Sequence, residues 1–311
     1  MNKYSSTWSR WQKFCSDKGI SSTHTNINSV LEFFTSLYTN GCHYSGLCAA
    51  RSALTSLVHI EDGPSISAHP LTNRFLKGVF NMHPPAPRYV EIWDVDKVLS
   101  YFNNKNHNDQ LSFKELCTKT VTLLMILGAN RKNAFSTFTI DNVKTDETKC
   151  VICPNKVMKH SRPGFKPEPL VFHRYQLNKK LCIVSCIDHY LFQRNKLVHR
   201  DEKAFIVTYG KPHKPASTDT ISRWIKDTLR DSGINVDVFT SHSCRAASTS
   251  KAFAVGVPLH EILKRANWSR AETFQKHYKR TIVPTNDEDF NYVSSILDNS
   301  SVVTDSNNLD N

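Results

Sequence analysis

No stretch of the 311 residues approaches the ~20 consecutive apolar residues that a membrane-crossing helix needs, so no membrane partner is expected. The N-terminus, Met1-Asn2-Lys3-Tyr4-Ser5, lacks the apolar core of a secretion signal. The nine cysteines are an odd number, scattered, and without such a signal they read as reduced thiols of an intracellular protein. Cys150-x-x-Cys153 and Cys182-x-x-x-Cys186 invite a zinc reading. Cys150 and Cys153 fall in a strand-like run, however, and residues three apart on a strand point to opposite faces. No metal and no cofactor are expected. Internal repeats and low-complexity tracts are missing too. Basic residues are missing from Pro284 onward, where six acids stand alone: Asp287, Glu288, Asp289, Asp298, Asp305 and Asp310.

That last absence concentrates positive charge elsewhere. The whole chain carries +12, so residues 1–283 carry +18. A body that basic suggests a polyanionic partner, with DNA or RNA as the default. At 39% hydrophobic residues the chain can bury a core, and its length allows two domains.

Residues 3–82 read as helices. Trp8, Trp11, Phe14 and Cys15 recur at helical spacing. A second helix runs from Val30 to Tyr38 and stops at Asn40-Gly41. Tyr44–Val58 reads as a third, with Leu47, Leu54 and Leu57 on one side and Arg51 exposed. A fourth covers Leu71–Met82. His83-Pro84-Pro85-Ala86-Pro87 cannot continue a helix and reads as a stiff linker. The expected division is a helical domain over 1–83, a Pro-rich linker over 84–92, a second domain over 93–283 and an acidic tail over 284–311. In the second domain, helices are expected over Val95–Phe102, Phe113–Leu127, Leu181–Val198 and Thr220–Arg230. Strands are expected over Lys149–Cys153 and Leu170–Phe172, on either side of a basic, turn-rich segment. Helices resume after Ser241, with breaks at Gly256-Val257-Pro258 and Asn267.

Ser241-His242-Ser243-Cys244-Arg245 puts an imidazole and a guanidinium three residues apart, on one helical face. The guanidinium forks onto phosphate oxygens, and the imidazole can bond a third oxygen or shuttle a proton. The small residues that follow, Ala246-Ala247-Ser248, permit close packing under a site. Alone, His-x-x-Arg is usually an ordinary surface pair. Here it stands downstream of Leu127-Gly128-Ala129-Asn130-Arg131 and upstream of Asn267-Trp268-Ser269 and Lys276-His277-Tyr278.

An arginine after an apolar helix, then His-x-x-Arg, then a His or Trp, then a Tyr resembles the signature of tyrosine recombinases and phage integrases. Arg131, His242, Arg245, Trp268 and Tyr278 each match a position of it. Further segments resemble recombinases of DIRS- and Ngaro-type retrotransposons, with Cryptons next. They are Lys159-His160-Ser161-Arg162-Pro163-Gly164, Ser241–Ala252, Asn267-Trp268-Ser269, His69-Pro70-Leu71, Lys77–Asn81 and Pro84–Arg88.

The resemblance implies a mainly α fold with a small antiparallel β-sheet: a helical core-binding domain followed by an α+β catalytic domain. It implies double-stranded DNA as substrate, a homotetramer on DNA and, for such elements, a nuclear location. Tyr278 would be the nucleophile, and Arg131 and Arg245 would hold the phosphate. Trp268 stands where most relatives have a histidine; its N–H can donate but cannot take a proton. A hairpin lysine would protonate the leaving oxygen. Lys159 is favoured, because it opens the matching segment, over Lys156, and either would otherwise be a backbone contact. Further DNA contacts are expected at Arg51, Ser52, Lys77, Lys156 and Arg162.

Two departures stand out. Ala134 replaces a carboxylate the family often has, so something else must orient Arg131. The Trp268–Tyr278 interval is one residue longer than usual, which leaves His277 where the nucleophile might be counted. The competing readings are a catalytically silent DNA-binding protein and a relaxing enzyme like type IB topoisomerases. In the tail, Phe290, Tyr292, Val293, Ile296 and Leu297 have roughly helical spacing. A short helix there is expected to dock on a neighbouring protomer.

Overall fold

The computed structural model describes residues 4–61, 63–86, 89–154 and 168–283. Lys156, Lys159, Arg162, the expected turn over 161–164 and the expected tail helix over 290–297 lie outside the described residues. The chain divides into two units, Met1–Arg88 and Tyr89–Asn311.

The first unit holds four helices: α1 (Ser5–Lys18), α2 (Ile27–Thr39), α3 (Tyr44–Thr55) and α4 (Pro70–Met82). Gly19 ends α1 in the left-handed conformation, φ 63°, which glycine adopts without steric cost. Asn26 caps α2 by accepting from Ser29 N–H at 3.0 Å. The apolar faces meet in one core around Trp11, Val30, Phe33, Phe34, Leu47, Leu54, Leu76 and Val79. Two short strands, β1 (His24–Thr25) and β2 (His59–Ile60), pair in parallel and tie the loops together. Leu57 departs from expectation. α3 ends at Thr55, so Leu57 lies past the helix and is 54% exposed, while Val58 takes the buried place. Arg51 departs as well: it is half-buried rather than exposed.

The second unit is built around α6 (Phe113–Leu127), buried along nearly its whole length. Packed about it are α5 (Val95–Asn103), α7 (Ile183–Leu197), α8 (Thr218–Asp231) and α9 (Ser243–Ala254), with α10 (Leu259–Arg265) and α11 (Ala271–His277) completing the helices. α6 opens on a capping box: Ser112 Oγ accepts from Glu115 N–H while the Glu115 carboxylate accepts from Ser112 N–H at 3.0 Å.

A three-stranded antiparallel sheet, ordered β4 (Val143–Thr145), β5 (Lys149–Ile152), β6 (Leu170–His173), lies beside the helices. Two of its strands were expected, and β4 was not. Three residues are too few to show alternation, and β4 is set by the turn that follows it. There Asp146 accepts from Thr148 N–H at 2.7 Å and Lys149 N–H at 2.9 Å. The bond from the Thr148 hydroxyl, and then these two from backbone N–H groups, hold the Asp146 carboxyl down to about 2.

The last residues of the expected linker, Glu91–Ile92, form β3, which pairs in parallel with β7 (Thr281–Ile282). The two ends of the second unit's described chain are thus laid side by side. Cys150 is buried and Cys153 exposed, as residues three apart near a strand should be. All nine cysteines are free thiols. Among the described residues, no group of three or more His, Cys, Asp or Glu could hold a metal ion. No helix there is long and apolar enough to cross a membrane.

Candidate active site

The last carbonyls of α6 lack full partnering inside the helix and need donors from elsewhere, beyond the Gly128 and Ala129 N–H groups that reach Leu124 O and Ile126 O. Its end also carries the negative pole of the helix dipole. The chain meets those needs from three directions. Asn130 folds back so that its Nδ2 donates to Leu124 O at 3.2 Å. Ser248 Oγ, from α9, donates to Ile126 O. Arg265, from α10, donates through Nε to Leu127 O at 3.0 Å. One step further on, Arg245 Nη1 donates to Ala129 O at 2.7 Å. Ala129 takes a positive φ of 45°, which turns the chain out of the helix and into Arg131. Ala134 is buried, and its N–H donates to Arg131 O at 2.9 Å.

α9 is set by its own anchors. Trp93 Nε1 donates to Ser243 Oγ at 2.8 Å, and Lys251 pairs with Asp96 at 2.6 Å and with Asp94 at 3.4 Å. Small residues, Ala246 and Ala247, are buried and let α9 press against α6. Arg245 therefore enters the interior and is only 2% exposed. Its Nη2 donates to Ala266 O, at the end of α10. Burial, and then the charge of Arg131, hold its guanidinium down to about 10, while Tyr278 acts in the opposite sense. Arg131 is thus near enough for the two like charges to press on each other.

Trp268 and Tyr278 complete the group. The Arg245 guanidinium lies 4.5 Å from the Trp268 ring centroid and 5.5 Å from that of Tyr278. The two rings are 4.4 Å apart at their centroids. His242, at the N-terminal boundary of α9, presents its ring edge-on to Tyr278 at 6.4 Å. Trp268 is 8% exposed, and its Nε1 is buried with no partner among the described residues; the same holds for Arg245 Nε. Two N–H donors therefore stand in the site without acceptors.

The backbone of Tyr278 is held on both sides. Its N–H donates to Phe274 O at 2.8 Å, closing α11. Its carbonyl accepts from Ser250 Oγ at 2.8 Å, and that oxygen in turn accepts from Arg280 N–H at 3.1 Å. Three residues on, the β3–β7 pairing fixes the strand. His277, one position earlier, is exposed. Of the residues picked out in the sequence, Arg131, His242, Arg245, Trp268 and Tyr278 come together. Arg51, Ser52 and Lys77 belong to the first unit; Ser52 and Lys77 are exposed there, and Arg51 Nε is buried without a partner among the described residues. Sequence reading missed Ser248, Ser250 and Arg265, whose roles arise from contacts between helices and leave no local pattern.

A model of the phage integrase family matches residues 94–283. The chain belongs to that family, the tyrosine recombinases. A search of proteins of curated function found no match. Solved structures share the fold at low identity. The integrase of transposon Tn1549, in complex with transposon right-end DNA, is 10% identical over 90% of this chain and 86% of its own, with a TM-score of 0.57. The site-specific recombinase XerH in a post-cleavage complex with palindromic difH substrate is 12% identical over 80% of this chain and 67% of its own, with a TM-score of 0.54. Its pre-cleavage complex gives 11% identity over 89% of this chain and 71% of its own, with a TM-score of 0.53. This chain is mostly helical with small sheets, and its fold matches tyrosine recombinase structures.

Proposed function

We propose that this integrase-family protein cuts and rejoins double-stranded DNA through a covalent bond to Tyr278. The observation that carries the reading is the meeting of Tyr278 with Arg245 and Trp268, the last two offering unpartnered N–H donors. Donors left without acceptors in a buried site suit an incoming anion, and a phosphodiester supplies the acceptors.

In the proposed reaction the Tyr278 oxygen attacks phosphorus and loses its proton. The bond from phosphorus to the 5′-oxygen breaks. The 3′-phosphate stays on the tyrosine, and the leaving 5′-oxygen takes up a proton. A 5′-hydroxyl of a second strand then attacks the phosphotyrosyl bond and releases Tyr278. One phosphoester replaces another at each step, so no energy-supplying cofactor is needed. Arg131 and Arg245 oppose the charge that builds on the phosphate in the transition state. Trp268 Nε1 donates to a phosphate oxygen. His242 is the imidazole of the group, suited to bond an oxygen or move a proton. Lys159, or else Lys156, would supply the proton to the leaving oxygen.

The +18 charge of residues 1–283 favours DNA as partner. The segments resembling DIRS- and Ngaro-type recombinases favour a mobile element as context, with a tetramer on DNA and a nuclear location. The test is a nicked suicide duplex resolved on a gel. Wild-type protein should yield a protease-sensitive covalent adduct, and Tyr278→Phe should yield none while binding DNA within a few-fold. An adduct formed equally well by Tyr278→Phe sinks the proposal.

A further inference from the structure

Serine is a poor helix former because its hydroxyl competes for backbone groups. Inside a helix it usually turns back onto the carbonyl of the preceding turn. Thr249 of α9 does so, donating from Oγ1 to Arg245 O at 2.8 Å. Ser250, the next residue, does not. It is 3% exposed, and its Oγ leaves the helix in both of its roles: it donates to Tyr278 O at 2.8 Å and accepts from Arg280 N–H at 3.1 Å. A hydroxyl can donate and accept at once, which no aliphatic side chain of that size can do. Among the described residues, these are the hydrogen bonds that join α9 to the backbone of residues 278–280.

Other contacts also hold the chain around Tyr278. Its N–H and that of Lys279 both end on Phe274 O, at 2.8 Å each, which ties the residue to α11. α11 meets α9 through the rings of Phe274 and Phe253, 5.5 Å apart, and such an apolar contact has no direction. β7 is paired with β3 from Thr281 onward. The fold therefore stands without the Ser250 hydroxyl; what the hydroxyl adds is direction. α9 is the rod that carries Arg245, five residues and roughly 7.5 Å along the axis from Ser250. Trp93 and Lys251 pin that rod in place. Ser250 thus sets the Tyr278 peptide against the same element that carries the phosphate-binding guanidinium.

We infer that Ser250 is a positioning residue for strand cleavage: it fixes the Tyr278 peptide to α9, so that the phenol oxygen is aimed at a phosphate held by Arg245. The inference rests on the proposed recombinase reaction. The ring follows its backbone through a short, stiff side chain, so a peptide that drifts carries the oxygen with it. Attack at phosphorus needs alignment, and a displacement of about 1 Å costs on the order of 10²-fold in rate. Arg245 keeps its own bonds to Ala129 O and Ala266 O, so the phosphate site should outlast the loss of the Ser250 hydroxyl.

Two reactions of the full chain separate positioning of the tyrosine from upkeep of the phosphate site. One is single-turnover adduct formation on a nicked suicide duplex, in which Tyr278 attacks. The other is ligation of a 3′-p-nitrophenyl phosphate end to a 5′-hydroxyl. There the hydroxyl attacks phosphorus and loses its proton, and p-nitrophenolate leaves, so Tyr278 takes no part. Ser250→Ala should slow adduct formation on the order of 10²-fold. Ligation and DNA affinity should stay within a few-fold of wild type. Ser250→Thr and Ser250→Val share one shape and differ in the hydroxyl. Ser250→Thr should form adduct within a few-fold of wild type, and Ser250→Val should share the alanine defect. That pair carries the test if Ser250→Ala does not fold. Equal slowing of both reactions by folded Ser250→Ala, unslowed adduct formation, or equal adduct rates for Ser250→Thr and Ser250→Val overturns the inference while leaving the recombinase reading intact. Wild-type protein forming no adduct overturns both.

Discussion

Trp268 and Arg245 share a ring-to-guanidinium contact yet should respond differently to substitution, because only one of them gives hydrogen bonds to the fold. Arg245 gives hydrogen bonds to Ala129 O and Ala266 O in the interior. Arg245→Ala leaves both carbonyls buried without donors, at a cost of about 1–3 kcal/mol each. It also removes positive charge from the site, on the order of 10²–10³ in rate. A large fall in denaturation midpoint together with lost adduct is the expected pair of results. Trp268 Nε1 has no partner to lose. Trp268→Phe should break no hydrogen bond, cost about 1–3 kcal/mol in lost packing and still slow cleavage on the order of 10². Equal cleavage rates for Trp268→Phe and wild type would mean that Trp268 serves packing alone. Gly128 is constrained by its neighbours. A Cβ there would stand 2.6 Å from Leu124 O and closer still to Asn130 Nδ2, the group that caps Leu124. Gly128→Ala should displace that cap and the loop beyond it. A loss of about 1–3 kcal/mol in chemical denaturation is expected, with slower cleavage through Arg131.

Among elements, α6 was readable because its apolar run over Phe113–Leu127 lies in its own sequence, and the structure adds a capping box between Ser112 and Glu115. The capping box makes a pH prediction. The Ser112 hydroxyl and then its N–H lower the Glu115 carboxyl below its ordinary 4.5. A depressed acid contributes stability above its unfolded value, and that stability is lost as pH falls through the folded value. Ser112→Ala should cost about 1 kcal/mol at neutral pH. The gap between mutant and wild-type melting temperatures should narrow below pH 4.5, where both forms of Glu115 become neutral. A gap that stays constant to the acid limit would show that the ionised carboxylate is not what matters. β3, β7 and β4 were not readable. Strands of two or three residues show no alternation, and their existence depends on which distant segment lies beside them. Leu57 failed for a related reason: helical spacing continued past Thr55, but the backbone did not.

At the scale of the whole molecule, the two units have separate cores, one around Phe33 and Phe34 and one around α6. Among the described residues, the buried members of each cluster come from its own unit. Fragments 1–86 and 89–283 should therefore each fold alone, with helical circular dichroism and cooperative denaturation. A disordered 1–86 fragment would refute this. Trp268 and Phe274 belong to neither main core. They form a small satellite cluster with Ala129, Ile262 and Ala266, against which Tyr278 packs. A cluster that small should open more readily than α6.

The sequence alone determined the residue types and their order: an arginine after an apolar helix, His-x-x-Arg, tryptophan, tyrosine, on a strongly basic chain. Those are properties of composition and spacing, and they survive any arrangement in space. It also left His277 and Tyr278 as neighbours to choose between. The resemblance favoured Tyr278, and the tertiary structure adds the physical difference: the end of α11 and the Ser250 contact hold Tyr278 beside Arg245 and leave His277 exposed. Likewise, an arginine at position 265 looks like any surface charge until α10 lies between α6 and β6. Which carbonyls it meets is a fact about three distant segments, and no local pattern encodes it.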